Sequence, residues 1–385
     1  MLSRVITFYI PIHIRLTRMK RIKRWHKNSM YIEPPSPGCK LCEKGSKLVL
    51  FVTGLCPASC FYCPLSEKKR GRDVIYADEW KLDDERDTDK ILREAELIEA
   101  EGAGITGGDP LIVWKRTKDY ISLLKENFGE DFHIHLYTSG IKESKHIPDL
   151  VSAGLDEIRF HPMPAYWKDM ERSPIKKAIE ISLKEDVDVA IEIPAIPGMK
   201  EEIIDLIGWG DEKGIRWINL NELEFSETNA EELMNRGFDV RNDLSSGVLG
   251  SEEEAISIIE EMAKENLSLG IHYCSSSFKD AIQLRNRIKR RAKNVAKPFE
   301  IVSDEGLLIK GVIEVESKSF LDMLRRRYEI PEDLVRFDLE KRRVEIAPWI
   351  LEEIADDLAK EKIKCYIVEE YPTADRLEVE RIPLS

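Results

Sequence analysis

From Lys47 onward the chain alternates short apolar runs rich in Val and Ile with longer amphipathic stretches, the βαβα signature of a parallel sheet. The runs span 48–53, 103–106, 132–138, 157–160, 187–193 and 217–223; a further run at 268–273 either adds a seventh strand or pairs at the edge. Helical periodicity falls between them, near 85–101, 115–128, 146–153, 173–185, 200–213 and 251–267. Six strand–helix units predict an α/β fold, a partial (βα)6 barrel of TIM-like type. Right-handed crossovers place the helices outside and bring the C-terminal ends of the strands to one face. Those ends are crowded with polar residues and glycine: Gly107-Gly108-Asp109-Pro110, Thr138-Ser139-Gly140, Arg159-Phe160-His161, Glu192 and Asn219-Leu220-Asn221-Glu222. A site is expected there, with Arg159, His161, Glu192, Asn219, Asn221 and Glu222 facing a substrate; a structural salt bridge across the barrel interior is the alternative for Arg159 and Glu192.

After residue 298 the pattern changes to strands over 298–315, helices over 319–328 and 347–360, and strands over 363–369 and 377–381. This reads as a small C-terminal α+β domain without a catalytic motif. The whole chain then divides into a basic N-terminal extension (1–30), a cysteine knuckle (31–46), the barrel (47–275), a basic amphipathic helix (276–297) and the C-terminal domain (298–385). Met19 and Met30 lie ahead of the first motif, so much of the extension is also readable as an over-called start. A length of 385 residues exceeds what one core usually organises, in keeping with this division. No apolar run approaches the roughly 18 residues a membrane helix needs. No membrane partner is expected, and with no secretory cleavage signal a cytoplasmic location is.

Charge adds one feature. The net charge of −13 conceals two basic segments, residues 1–32 with eight Lys or Arg and no acid, and residues 279–297 with eight against the single Asp280. In the second, Lys279, Gln283 and Arg287 fall four apart on one helix face, while Ala281, Leu284, Ile288, Ala292 and Val295 form an apolar stripe. The basic face either holds an anionic partner, RNA or an acidic polypeptide, or pairs with the acidic barrel.

The seven cysteines, an odd number, point to metal ligation rather than a disulfide framework. Cys56-Pro-Ala-Ser-Cys60-Phe-Tyr-Cys63 follows directly on the first predicted strand. Three thiolates at this spacing can bind three irons of a cubane and leave the fourth iron open, although a zinc knuckle also uses such spacings. The loop resembles the signature of the radical S-adenosylmethionine (SAM) superfamily, CxxxCxφC, with Tyr62 as the aromatic φ. Gly107-Gly108-Asp109-Pro110 is similar to the family's GGEP element with Asp in place of Glu, Thr138-Ser139-Gly140 to its TNG-like turn, and Pro194-Ala-Ile196-Pro-Gly198-Met-Lys-Glu201 to its GxIxGxxE stretch with Pro194 replacing the first glycine.

This resemblance covers about residues 47–275 and is nearest to the pyruvate formate-lyase-activating-enzyme-like branch. It implies a 4Fe-4S cluster on Cys56, Cys60 and Cys63 that cleaves SAM to a 5'-deoxyadenosyl radical, which abstracts hydrogen from a substrate. It further implies SAM contacts from Tyr62, Gly107, Gly108, Asp109, Ser139, Ile196 and Gly198, and an electron donor such as a ferredoxin or a reductase. The basic helix favours a macromolecular substrate, RNA or protein; the resemblance alone suggests an activase that makes a glycyl radical on a partner enzyme. A non-catalytic iron-sulfur or zinc scaffold is the third reading.

Cys39-Lys-Leu-Cys42, 14 residues ahead of Cys56, needs ligand partners from elsewhere if it holds metal. Cys274 ends the seventh run, with His272 two residues before it. A second metal site (iron, iron-sulfur or zinc) is expected on Cys39, Cys42 and Cys274, with His272 or an external ligand fourth. A redox pair is the alternative for the CxxC.

Overall fold

The computed structural model describes residues 21–242, 245–315 and 317–384. Seven strands run parallel in sequence order: β1 (Lys47–Phe51), β2 (Gly102–Thr106), β3 (His133–Thr138), β4 (Glu157–Phe160), β5 (Asp188–Ala195), β6 (Trp217–Glu222) and β7 (Gly270–Cys274). The seventh run is thus a full parallel strand on β6. The sheet does not close; Met30–Ile32 pairs antiparallel with β7, and Tyr76–Ala77 pairs antiparallel with β1.

Side-chain alternation divides the strands into two faces. Leu48, Leu50, Ile105, Ile134, Leu136, Ile158, Phe160, Ile191, Ile193, Ile218, Leu220 and Ile271 are all buried, in one core with Ile91, Ile121, Leu124, Leu150, Ile179, Leu206 and Ile258 of the connecting helices. At about 1.5–3 kcal/mol per fully buried large aliphatic side chain, this outer layer is the main source of stability. The helices are α2 (Thr88–Leu97), α3 (Trp114–Phe128), α4 (Ile147–Ser152), α5 (Lys176–Ser182), α6 (Lys200–Lys213) and α7 (Ser251–Met262). The opposite face is polar: Lys47, His135, Tyr137, Glu157, Arg159, Glu192, Asn219, Asn221 and His272.

The predicted cysteine knuckle is instead a helix, α1 (Pro37–Lys44). Ser36 caps it by accepting from the Cys39 amide, Pro37 fits its first turn, and Gly45 ends it in the left-handed region. Cys39 approaches both Arg159 of β4 and Asn219 of β6, and α1 also contacts β1 to β3. The sheet therefore curls around α1. A hairpin (Tyr76–Ala77 with Trp80–Lys81) and the short helix Ala230–Asn235 went unpredicted.

The basic segment begins with a Ser275 cap, which accepts from the Phe278 amide at 3.2 Å. It then forms a π-helical stretch, Lys279–Leu284, before α8 (Arg285–Val295). That change of period breaks the predicted apolar stripe, leaving Leu284 exposed. Several of its cations turn inward, although Lys293 and Lys297 stay exposed. Lys279 pairs with Glu224, Gln283 donates to the Cys274 sulfur at 3.4 Å, and Arg287 meets Asp78 at 3.1 Å. Arg291 makes a buried bidentate pair with Glu94 (2.6 and 2.8 Å), and Arg290 donates to the carbonyls of Ile98 and Glu99. The face proposed to meet an anionic partner is a clasp onto the barrel.

The C-terminal unit is an antiparallel sheet of β8 (Leu308–Ile313), β9 (Val335–Asp338), β10 (Arg343–Ile346), β11 (Cys365–Glu370) and β12 (Glu378–Pro383), ordered β9-β10-β8-β11-β12. Two helices, α9 (Lys318–Tyr328) and α10 (Pro348–Lys360), bury Leu324, Leu351 and Leu358 with Ile313, Val344 and Ile346 of the sheet. Strands β9 and β10 escaped the sequence reading because β10 buries charge: Arg343 and Glu345 are buried, and Glu345 takes Lys310 at 2.6 Å.

Of the N-terminal extension, residues 1–20 lie outside the described residues. The remainder packs on the barrel: Trp25 meets the rings of Tyr31, His272 and Phe278, and buried Ser29 bonds Ser275. Among the described residues no helix is long and apolar enough to cross a membrane.

Candidate active site

At the C-terminal ends of the strands, a cavity of about 640 Å³ is lined by Cys56, Cys60, Cys63, Tyr62, Gly107, Gly108, Thr138, Ser139, Arg159, His161, Glu192, Asn221 and Glu222. Most of the candidates drawn from separate strand ends therefore meet around one space. Asn219, Asp109, Ile196 and Gly198 are not among the lining residues. Ile196 is buried in the core, and Gly198 turns the chain at φ 82°.

The loop carrying Cys56, Cys60 and Cys63 is held by backbone. The Gly108 amide donates to the Thr53 carbonyl and the Asp109 amide to the Leu55 carbonyl, both at 2.7 Å. A Cβ on Gly107 would stand 2.3 Å from the Thr53 oxygen, and one on Gly108 2.3 Å from the Leu55 oxygen, so only glycine permits this approach. At its other end, Asn229 donates to the Tyr62 carbonyl (3.1 Å) and Thr228 to that of Cys63 (3.4 Å). Cys56 is exposed, and Cys60 and Cys63 are half-buried.

Asp109, the departure from GGEP, is fully buried. Its carboxylate accepts from Thr138 Oγ1 (2.6 Å), Ser139 Oγ and the Leu111 amide (3.1 Å). Both oxygens are spent joining the β2 and β3 turns, which makes Asp109 a positioning residue with its side chain turned from the cavity. Burial raises its pKa, against the three donors. Asp109→Ala is expected to leave two hydroxyls and one amide unmatched, costing about 1–3 kcal/mol, and to raise the KM for SAM; thermal denaturation and SAM titration check this, whereas Asp109→Asn should recover most of the stability.

His161 ties the cysteine loop to the barrel wall. Its Nδ1 lies 2.7 Å from the Glu192 carbonyl oxygen, which only accepts, so Nδ1 carries the proton and Nε2 accepts from the Tyr62 hydroxyl at 2.8 Å. Burial lowers the His161 pKa, consistent with this neutral form.

Beneath them Arg159 is the hub of a buried polar network. It donates to Glu157 (2.7 Å), Glu192 (2.7 Å), Ser36 (2.7 Å), Tyr137 (3.3 Å) and the sulfur of Cys39 (3.6 Å). Asn221 and Asn219 donate to Glu192 at 2.9 and 3.3 Å. Burial would raise both carboxylates, but Arg159 reverses this, holding Glu157 down at about 2 and Glu192 below its ordinary range. Glu222, also buried, accepts from Arg241 and from the Ser276 amide at 2.7 Å. Of the proposed substrate-facing residues, Arg159 and Glu192 are thus bound first to one another.

Lys47, Tyr137 and Glu224 also line the cavity and were missed in the sequence; Lys279, read there as part of the basic helix face, lines it too. For Lys47 and Tyr137 the available signal was a polar residue at an inward strand position.

Three cysteines at spacing for a cubane, half-exposed at the rim of a cavity sized for one cofactor-like ligand, fit a 4Fe-4S cluster with SAM. Among the described residues no three Cys, His, Asp or Glu side chains converge as ligands of a single ion, and this includes Cys56, Cys60 and Cys63. Sulfurs that bind separate irons of a cluster stand farther apart than the ligands of one ion.

Comparison with known proteins agrees with this chemistry. Residues 50–210 match the Radical SAM superfamily, and residues 306–384 match a domain of unknown function, DUF8061. A protein of Methanocaldococcus jannaschii, provisionally named a glycyl-radical enzyme activating enzyme, is 43% identical over 357 residues, covering 90% of this chain and 92% of that protein. Among solved structures, Streptococcus suis SuiB bound to S-adenosylmethionine is similar at TM-score 0.41 and 12% identity, covering 60% of this chain. The radical S-adenosylmethionine methyltransferase TsrM from Kitasatospora setae, with cobalamin and a 4Fe-4S cluster bound, is similar at TM-score 0.35 and 10% identity, covering 63%. The chain spans about half the length of each of these two.

Proposed function

The chain belongs to the radical SAM superfamily and is an enzyme, and from that premise we propose that it activates a partner protein by drawing a hydrogen atom from a polypeptide glycine. The observation that carries this reading is the 43% identity, over nearly the whole of both chains, to the provisionally named activating enzyme. Cys56, Cys60 and Cys63 would hold a 4Fe-4S cluster, which with bound SAM would supply, on one-electron reduction, methionine and a 5'-deoxyadenosyl radical able to accept the hydrogen.

The chain's own residues bind, orient and shield. Gly107 and Gly108 fix the cysteine loop, Asp109 fixes the turn that presents Ser139, and the Tyr62–His161 bond holds the loop against β4. Arg159, Glu192 and Asn221 form a polar wall whose hydrogen bonds are already made, so it resists rearrangement. A space of about 640 Å³ is within the size usual for one small ligand. With SAM inside, it suits a narrow peptide loop inserted from the rim better than a folded surface. An electron donor such as a ferredoxin or a reductase is part of this proposal, meeting the chain near exposed Cys56.

RNA loses its support, since the basic face that suggested it is paired with Glu94, Asp78 and Glu224. The test is anaerobic incubation with a glycyl-radical enzyme, SAM and a low-potential reductant. A glycyl doublet in electron paramagnetic resonance, with one 5'-deoxyadenosine formed per radical, is expected. 5'-Deoxyadenosine without a radical on the partner would overturn the activase reading.

A further inference from the structure

Helix α1 carries Cys39 and Cys42 into the concave side of the sheet, below the floor of the cavity. Cys39 is buried, with its sulfur 3.6 Å from Arg159 Nη2 and 3.8 Å from Asn219 Oδ1. Cys42 lies beside Lys47, and both Lys47 and Arg159 line the cavity. Cys274, at the end of β7, is buried near Lys279 and accepts from Gln283, which belongs to the π-helical stretch that packs against α1.

Each cysteine therefore has a cation beside it: Arg159, Lys47 and Lys279. Two of these are already matched, Arg159 by Glu157 and Glu192 and Lys279 by Glu224. Sulfurs gathered in this way from a helix and a strand suit a metal core, which they would ligate.

A second observation points to a ligand. His272 is 3% exposed, and neither ring nitrogen has a hydrogen-bond partner, a state it shares with buried His135 of β3; of the two, His272 stands on the strand that ends in Cys274. In register it stands beside Asn219, the residue that touches Cys39. A buried imidazole with both nitrogens unmatched is costly unless one nitrogen is coordinated.

We propose that Cys39, Cys42 and Cys274 hold a second metal centre, an iron-sulfur cluster, with His272 as its fourth ligand. A cluster is preferred to a single ion because the donors come from two separate elements and do not converge on one point. The same spacing behaviour holds for Cys56, Cys60 and Cys63.

The test measures iron and inorganic sulfide in anaerobically reconstituted full-length protein and is independent of any substrate. The Cys56→Ala/Cys60→Ala/Cys63→Ala variant is expected to retain roughly half the iron and sulfide, as one of two clusters would. Cys39→Ala/Cys42→Ala should lose the other share. In the variant that retains only the second centre, His272→Gln should shift the electron paramagnetic resonance g-values. Circular dichroism identifies any variant that fails to fold, in which case Cys274→Ser replaces it. A folded triple variant without iron overturns the proposal, as does zinc in place of iron or a Cys39–Cys42 disulfide in metal-free protein. Loss of the activase reading leaves these measurements untouched.

Discussion

Gly108→Val is expected to stop SAM cleavage as completely as Cys60→Ala, although it removes no ligand. The physical reason is the 2.3 Å that a Cβ would have from the Leu55 oxygen and the 2.8 Å from the Gly54 carbonyl carbon. Both neighbours are backbone and cannot rotate away. The chain must separate, and it separates where the Gly108 amide meets Thr53 and the Asp109 amide meets Leu55, the contacts that set the start of the cysteine loop. Displacement by about 1 Å is enough to disable a positioned group. Loss of the group that carries the chemistry should lower 5'-deoxyadenosine formation by at least about three orders of magnitude. Chromatography of 5'-deoxyadenosine, with iron counted per chain, checks it. Normal cleavage by Gly108→Val would mean that the loop does not depend on the β2 turn. The variant also separates two roles for this glycine, because retained iron with lost SAM binding would place its importance at the ligand, and lost iron places it at the loop.

The barrel was legible because a parallel sheet under helices buries one face of every strand in aliphatic residues, and those runs stand out. Strand β4 was read at its observed limits, and the cysteine loop, the GGDP turn and Thr138-Ser139-Gly140 all fall on strand ends. What sequence does not carry is which polar residue answers which. Arg159 and Glu192 were expected either to meet a ligand or to bridge the barrel interior, and no pattern in one dimension decides between the two; they meet each other, 33 residues apart, at 2.7 Å. The same limit applies to the basic helix: Arg291 and Glu94 form their pair across 197 residues, and a solvated basic face and a clasp have the same periodicity. Cys39-Lys-Leu-Cys42 resembled a turn because CxxC knuckles usually are turns; Ser36 and Pro37, a good cap followed by a good first residue, were the signs of a helix.

Arg159→Met tests how much of the site this one side chain holds together. Both carboxylates it serves are deep, Glu157 with no exposed side chain and Glu192 with 17%. Removing the guanidinium leaves Glu192 with the Asn219 and Asn221 amides and Glu157 with only the His133 imidazole at 3.2 Å, and breaking a buried pair in this way costs about 3–5 kcal/mol. The expected result is a large fall in denaturation midpoint at neutral pH, with SAM binding weakened through the disordered cavity wall. The pH dependence gives a signature that mere loss of packing does not. Glu157 has its folded pKa pulled to about 2, below its ordinary 4.5, so the stability it contributes is complete above about pH 4.5 and is lost as pH falls toward 2. In Arg159→Met burial is unopposed by Arg159, the folded pKa rises above 4.5, and acidification through that raised value relieves the variant while the wild type holds its stability down to about pH 4.5. The difference in stability between the two should therefore narrow steadily from pH 7 to pH 4. Denaturant unfolding across that range measures it, and a constant gap would show that Arg159 acts through shape alone. Arg159→Lys keeps the charge but supplies a point donor in place of the planar fork that reaches Glu157, Glu192 and Ser36 together. It should recover the pH slope while leaving the cavity wall loose, which separates the charge of Arg159 from its geometry.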